Sequence, residues 1–446
     1  MMTWPHQRVQ LTLVWILAAL ASAPVNSQPA SSSFVVTHVR VFDGEHVLPD
    51  TNVVIDAGVI RSVDRQVPDR RRNLAIIDGS GATLLPGLID AHTHTRTVAQ
   101  LQDALRFGVT TVLDMWSPEG DRALRAAGAG RNDVADFRSS GILATAPGGH
   151  GTEYGIPIPT VSGPDEAANF VADRVADGAD YLKIVLNGVR AATNATSTMD
   201  GATARALVGA AHARGLLVVA HIENLNDVRT AVTSGVDGLA HVWREGGDAP
   251  DVARLIADHR VFVVPTLAVP DGFVRGTGAA LAADPRLRPF LSAELSGHLA
   301  GSESSASTPV LRNIDAYIAA VRTLARSGVT LLAGTDPPNA TVVHGASLHR
   351  ELELLVQSGL TPTQAMTAAT KSTSEIFHLR DRGRIVPGLR ADLLLVRGDP
   401  TRDITATRDI LHVWRSGVEF ARGITRQNGA SRTRDPIPSS RIAQSE

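Results

Sequence analysis

The chain has 446 residues, 43% of them hydrophobic, which is enough to bury a large core, either as two domains or as one large barrel with an accessory domain. A formal net charge of -2 gives no electrostatic case for nucleic acid or an anionic membrane as partner, and points instead to a small-molecule substrate. With no cysteine there is neither a disulfide nor a thiolate metal site, so any metal must be held by His, Asp, Glu or a modified side chain.

At the N-terminus, Arg8, the apolar run from Leu11 to Leu20 and the small residues Ala21, Ser22 and Ala23 form the pattern of a secretory signal, placed here at residues 1–27. The run is shorter than the roughly 20 apolar residues that span a bilayer, and an uncleaved N-terminal anchor is the alternative. The expectation is an exported protein, periplasmic or secreted, with no stable membrane association after cleavage. The disulfide-free, arginine-rich composition suits a bacterial source, and a homo-oligomer is compatible with all of this.

From Phe34 to Leu85 short β-branched runs, FVVTHVRVF, TNVVIDAGVIRSV and LAIIDG, are separated by turn residues, as expected of antiparallel strands. Beyond Leu84 the pattern changes to short apolar runs alternating with alanine-rich amphipathic stretches, the signature of repeated βα units. Eight such runs start at Leu84, Val109, Gly141, Tyr181, Leu216, Gly238, Val261 and Thr330, with helices such as Thr203 to Arg214 and Leu348 to Ser358 between them. The fold class expected is α/β: a (β/α)8 TIM barrel over residues 86–377. A small β-sandwich is expected to combine residues 34–85 with 378–426, where β character returns in GRIV, ADLLLVRG and ILHVWRSGVEF after a helical stretch from Thr361 to Phe377. The polar tail 427–446 reads as disordered.

Within the fourth run, DYLKIVLNG, a lysine sits among apolar residues. Of the 43 basic residues only Lys183 and Lys371 are lysine, so this chain writes positive charge as arginine almost without exception. A buried ammonium readily loses its proton and becomes a nucleophile or a ligand precursor, which a guanidinium does not. In a barrel of this kind functional groups sit at the carboxyl ends of the strands, and the polar residues fall there strand by strand. The first run ends in Asp90-Ala91-His92-Thr93-His94, and alternation along a strand turns His92 and His94 to one face. Lys183 follows from strand four, His221 from five, His241 from six and Asp336 from eight. Read alone, each has an ordinary explanation: a satisfied strand histidine, a snorkelling lysine, an aspartate capping the turn in GTDPP. Their coincidence at five of eight strand ends is what points to a metal site built from donors suited to Zn, Mn or Ni.

These motifs, PGLIDAHTH, the strand-four lysine, the two single histidines, GTD and the late stretch GRIVPGLRADLLLV, resemble the metal-dependent amidohydrolase superfamily from Phe34 to about Gly423. The chain looks most similar to the branch of imidazolonepropionase-like proteins, prolidase-type dipeptidases and ochratoxin-cleaving amidases. The resemblance implies two divalent metal ions, most simply Zn, bridged by a carboxylated Lys183, a modification that requires a neutral amine and so excludes arginine. It implies that His92, His94 and Asp336 hold the first metal, His221 and His241 the second, and Lys183 both. Asp336 would then be the catalytic proton carrier for a bridging hydroxide that cleaves an amide bond of a peptide or N-acyl amino acid. Asp90, two residues before His92, would orient a ligand from beneath.

For substrate binding the candidates are His150 in the glycine-rich loop PGGHGT, able to face a developing oxyanion, with Tyr154 in the same loop and His344 after strand eight. The glycines of GGHG lack P-loop spacing and are not a phosphate site. After strand five the chain reads His221-Ile222-Glu223-Asn224, whereas the branch often shows a histidine-rich stretch there. Two other readings stay open on sequence alone. One is a mononuclear deaminase or imidazolone-type ring hydrolase with Glu223 as proton shuttle; the other is a non-catalytic scaffold.

Overall fold

The computed structural model describes residues 32–66, 74–118, 120–187, 197–301 and 313–423, all within the unit Ser31–Glu446. The proposed signal and the polar tail lie outside the described residues. Among those residues no helix is long and apolar enough to cross a membrane.

The chain opens with five strands: β1 (Phe34–Phe42), β2 (Val47–Asp56), β3 (Val59–Asp64), β4 (Ala75–Asp78) and β5 (Ala82–Pro86). Seven further strands then alternate with helices: β6 (Leu88–Thr93), β7 (Val109–Asp114), β8 (Asp136–Ser139), β9 (Leu182–Val185), β10 (Val218–His221), β11 (Gly238–Ala240) and β12 (Phe262–Val264). The last three are β13 (Leu393–Arg397), β14 (Ile410–Arg415) and β15 (Val418–Glu419).

The first and last groups form one hydrogen-bonded sheet in the order β15-β14-β13-β5-β1-β2-β3, with β4 paired to β1. The two ends of the chain meet where β5 and β13 run antiparallel, Leu84 opposite Leu395. Period-two alternation decides what each side of that seam buries. Leu84, Leu393 and Leu395 pack with Phe34, Val36 and Trp414 in the sheet's own core. Leu85, Leu394 and Val396 turn the other way and join the large core shared with the helices.

The middle strands form two parallel sheets, β6-β7-β8 and β12-β11-β10-β9. Such pairing needs crossover connections, and the intervening helices supply them with deliberate ends. Thr97 and Gln100 close a capping box on the helix Val98–Arg106, as Asn224 and Asp227 do on Leu225–Ser234. Between the two sheets, Ile89, Leu113, Tyr181, Val219, Phe262, Leu332 and Phe377 pack into a separate apolar cluster.

Three details differ from the sequence expectation. The third strand was expected from Gly141, but β8 pairs with β7 five residues earlier, over Asp136–Ser139. Gly141, at φ +64°, breaks the extended run, after which Ala144 makes a single parallel bridge to Ile184 of β9. The sequence DFRS does not read as a buried strand because its aspartate is buried by arginines, not by apolar neighbours. The eighth run forms no strand: Leu331 bridges Val263 of β12, and beyond it Ala333 O accepts from Ala91 N of β6 at 2.9 Å. Finally, the helical stretch expected from Thr361 to Phe377 is two helices, Pro362–Ala368 and Lys371–Ile376. The carbonyls of Ala368 and Ala369 are taken by Ala333 N, from the eighth run, and Ile89 N of β6, so donors from outside interrupt the helix ladder.

A buried ion network fastens the parallel strands to the terminal sheet. Asp136 on β8 accepts from Arg382 and lies 3.6 Å from Arg390 and 3.8 Å from Arg415 of β14. Arg382 also bonds Thr111 of β7 at 3.0 Å, and Arg415 donates to Gly128 O at 2.8 Å. Removing one partner from a buried network strands the remaining charges. Asp136→Ala is therefore expected to cost about 3–5 kcal/mol, read as a lower urea midpoint, whereas the exposed pair of Arg131 and Asp133 can be removed for less than about 1 kcal/mol.

Candidate metal centre and active site

Six side chains converge at the carboxyl ends of the parallel strands, on the floor of a cavity of about 650 Å³. His92 is the last residue but one of β6, with His94 just beyond the strand; Lys183 lies on β9, His221 ends β10 and His241 follows β11 directly. Asp336 arrives from the segment after the eighth run. Its backbone N donates to His92 O at 2.7 Å, and His94 N donates to Pro337 O at 2.8 Å. Gly334 makes this approach possible: a Cβ there would stand 2.7 Å from His92 N and 2.5 Å from a methyl of Val264. His241, Thr266 and Asp336 all hold left-handed backbone, at φ +74°, +52° and +60°. Non-glycine residues pay roughly 1 kcal/mol or more each for that conformation, and it collects where side chains must be aimed.

Asp336 is the hub. Its Oδ1 lies 3.0 Å from His94 Nε2 and 3.3 Å from His92 Nε2, and its Oδ2 lies 4.0 Å from His241 Nδ1. Ligand atoms of His92, His241 and Asp336 fall within 4.8 Å of one another. His221 extends the cluster, its ring centroid 4.6 Å from that of His241. Burial works against ionisation of Asp336, yet His94, His241 and Lys183 together hold its carboxyl below the usual range. Burial, reinforced by neighbouring positive groups, keeps the His92 and His241 imidazoles neutral, the form that binds metals. Lys183 is pulled down to about 7 by burial, against the opposing pull of Asp336 and Asp114.

These residues fit a divalent ion. Both ring nitrogens of His92 and the Lys183 Nζ are buried without a hydrogen-bond partner among the described residues. A buried polar atom left so costs about 1–3 kcal/mol unless something satisfies it. Several such atoms aimed at one point, all nitrogen or carboxylate donors, make a ligand set for zinc-like metals.

Asp90 braces the site from beneath. It accepts from Thr335 N at 3.0 Å, Thr335 Oγ1 at 2.5 Å and His92 N at 3.2 Å, and burial raises it to about 7. His150 lines the cavity, with Nδ1 2.5 Å from Glu153 Oε1 and its ring 4.8 Å from that of His221. Tyr154 lines it too, tilted against Trp116 at 5.1 Å. His344 does not line the cavity. It is buried beside the HTHT turn, where Thr95 Oγ1 meets its Nε2 at 3.2 Å, and burial lowers its pKa to about 3.

Several cavity residues escaped the sequence reading: Arg96, Trp116, Thr266, Arg244 and Tyr317. Trp116 and Thr266 stand just past β7 and β12, where the strand-end rule that found the ligands also applies. Thr266 Oγ1 orients His241 through Nδ1 at 2.7 Å. Arg96 carried a weaker signal, two residues past His94; its guanidinium lies over the Trp116 ring at 5.0 Å.

A cleft of strand-end histidines, a buried amine and a carboxylate is the site of a hydrolytic class, and comparison with known proteins agrees. Residues 83–419 match the Amidohydrolase family. The chain belongs to the amidohydrolase family, hydrolases acting on carbon–nitrogen bonds. It is 34% identical over 101 residues to an imidazolonepropionase of Deinococcus deserti, a match covering 22% of this chain and 25% of that protein. The chain thus spans about a quarter of the length of that curated relative. Among solved structures, an amidohydrolase shares 26% identity with a TM-score of 0.69, covering 87% of this chain and 98% of the other. A Xaa-Pro dipeptidase with bound methionine has the same TM-score at 23% identity, covering 87% and 99%, a likeness of fold.

Gly334→Ala is expected to push the GTD segment off β6, destabilising the protein by about 1–3 kcal/mol in urea denaturation. It should also lower retained metal, measured by elemental analysis, more than Gly209→Ala, a helix position with open space around it and no left-handed backbone.

Proposed function

We propose that this protein is a binuclear, metal-dependent hydrolase of an amide bond in a peptide or N-acyl amino acid. The observation that carries the reading is Lys183: a fully buried amine with a depressed pKa and no hydrogen-bond partner among the described residues, facing neutral imidazoles and Asp336. In this reading the two parallel sheets and their bridging segments are a closed (β/α)8 barrel spanning about 86–377, and the terminal strands 34–85 and 378–426 make the accessory β-sandwich. The protein is exported by the signal at residues 1–27.

His92, His94 and Asp336 would hold one ion, His221 and His241 the second, and carboxylated Lys183 both, with zinc the best match to the donors. Bound there, the metal would supply Lewis acidity for the scissile carbonyl and lower the pKa of water toward neutrality. Asp336, held ionised, accepts the proton of the attacking water and passes it to the leaving amine. His150, oriented by Glu153, places an imidazole beside His221, where charge develops on the carbonyl oxygen. Trp116 and Tyr154 shield that side of the cleft from solvent.

A second reading has one observation in its favour. One donor group, His92, His241 and Asp336, has ligand atoms within 4.8 Å of one another and is sized for a single ion, as a mononuclear deaminase or cyclic-amide hydrolase would need. Its shuttle candidate Glu223 lies 3.6 Å from His221 Nε2 but is engaged by Arg244 at 2.6 Å.

Elemental analysis of protein reloaded with zinc and bicarbonate is expected to give two ions per chain, with dipeptides or N-acyl amino acids releasing an amino acid. One ion, with ammonia released or a cyclic amide opened to a single product, would establish the second reading. Lys183→Ala and Lys183→Arg should each lose metal and at least about a thousandfold in turnover, since neither side chain forms a carbamate. With the amine near 7, the metal-free protein carries it charged below that pH and neutral above. Only the neutral form takes up carbon dioxide, so at a fixed concentration of dissolved carbon dioxide reloading is expected to be faster at pH 8 than at pH 6, and equal rates would contradict the carbamate.

A further inference from the structure

One wall of the cavity is built for something other than the metal. It begins with the stretch His221-Ile222-Glu223-Asn224, which departs from the branch's pattern. Glu223 is 3% exposed, and its Oε1 accepts from Arg244 Nη2 at 2.6 Å. The backbone repeats the link, Arg244 N donating to Glu223 O at 2.7 Å. Burying a carboxylate is costly, and what it gains here is an arginine held in place. The Arg244 side chain remains 33% exposed, and one guanidinium offers five N–H donors, most of them unused by Glu223.

Tyr317, from the helix Ile314–Arg326, reaches the same cavity. It is 4% exposed, and its hydroxyl has no hydrogen-bond partner among the described residues. Burial raises the phenol to about 12, against the pull of Arg244, so it is a donor throughout the working pH range. The same cavity is lined by apolar groups as well, Val269, Pro270 and Phe273 among them.

We propose that Arg244 and Tyr317 form a carboxylate-binding subsite that takes the α-carboxylate of the leaving amino acid, whose apolar side chain rests on Val269, Pro270 and Phe273. This rests on the amide-hydrolase reading and deepens it. The placement is compatible: Glu223 Oε1 is 3.6 Å from His221 Nε2 and 2.6 Å from Arg244 Nη2, which puts the guanidinium on the His221 side of the cavity. In an aminoacyl amino acid the α-carboxylate lies three bonds from the scissile carbonyl carbon, a span of roughly 4 Å. A guanidinium with a neighbouring hydroxyl gives that carboxylate charge-assisted bonds that a carboxamide cannot match.

The test uses full-length, zinc-loaded protein and two probes that differ only at the carboxyl group, L-leucine and L-leucinamide, with binding measured by calorimetry. Leucine is expected to bind about 10- to 100-fold tighter than its amide. Tyr317→Phe should weaken leucine several-fold and leave leucinamide unchanged, with an unaltered melting temperature showing that the fold is intact. Arg244→Gln, which keeps a donor for Glu223, should abolish the preference for the acid. Equal binding of the two probes, no binding of either, or a Tyr317→Phe variant with unchanged leucine affinity would overturn the subsite. Glycyl-leucine and glycyl-leucinamide separate this from the parent reading. Hydrolysis of both at equal kcat/KM leaves the hydrolase and removes the subsite; acid-selective binding without hydrolysis of either removes the amide hydrolase and leaves the subsite.

Discussion

The arrangement depends on one contact between backbones: the segment that carries Asp336 lies directly against β6. Gly334 brings it within a distance that a side chain would forbid, and Asp336 N then binds His92 O while His94 N binds Pro337 O. This single seam sets the carboxylate between two imidazoles that lie far away in sequence. Asp90 stitches it from below through Thr335, and the split between the two last helices frees carbonyls for Ala333 and Ile89 on either side of it. The strained backbone at Asp336 is affordable because hydrogen bonds on both sides over-determine it.

Electrostatics follow from that geometry. Imidazoles, an amine and a carboxylate are packed together away from bulk water, so burial pushes His92, His241, Lys183 and Asp336 toward neutrality and the neighbours decide which of them resists. Asp336 resists because it faces several proton-bearing partners; Lys183 yields because its two acidic neighbours do not compensate for burial. The result is a set of electron-pair donors instead of a set of salt bridges, which distinguishes this cluster from the Asp136 network at the seam with the terminal sheet. There arginines, which do not release their protons, surround a carboxylate and hold elements together.

Much of this was legible in the sequence because the ligands lie at strand ends, where local pattern and chemistry coincide. His92, His94, Lys183, His221, His241 and Asp336 all meet, and the joining of N- and C-terminal strands in one sheet was readable from the return of β character after residue 377. What could not be read depends on partners remote in the chain. The third strand was misplaced because Asp136 is buried by Arg382, Arg390 and Arg415, residues more than two hundred positions away. Tyr317 enters the cavity from a helix whose pattern shows only an amphipathic face. His344 follows the eighth run as a substrate contact should, but it is buried against Thr95.

The scarcity of lysine has a practical side. Among the described residues the ε-amines are those of Lys183, sealed under the cleft, and Lys371, ion-paired at 3.3 Å with Glu45 and 3.6 Å with Glu375. A protein so poor in amines offers an almost empty spectral background. Carbon dioxide enriched in carbon-13 would meet few places to attach, so the chemical state of one buried nitrogen becomes observable in the intact enzyme by magnetic resonance, without a label on the polypeptide.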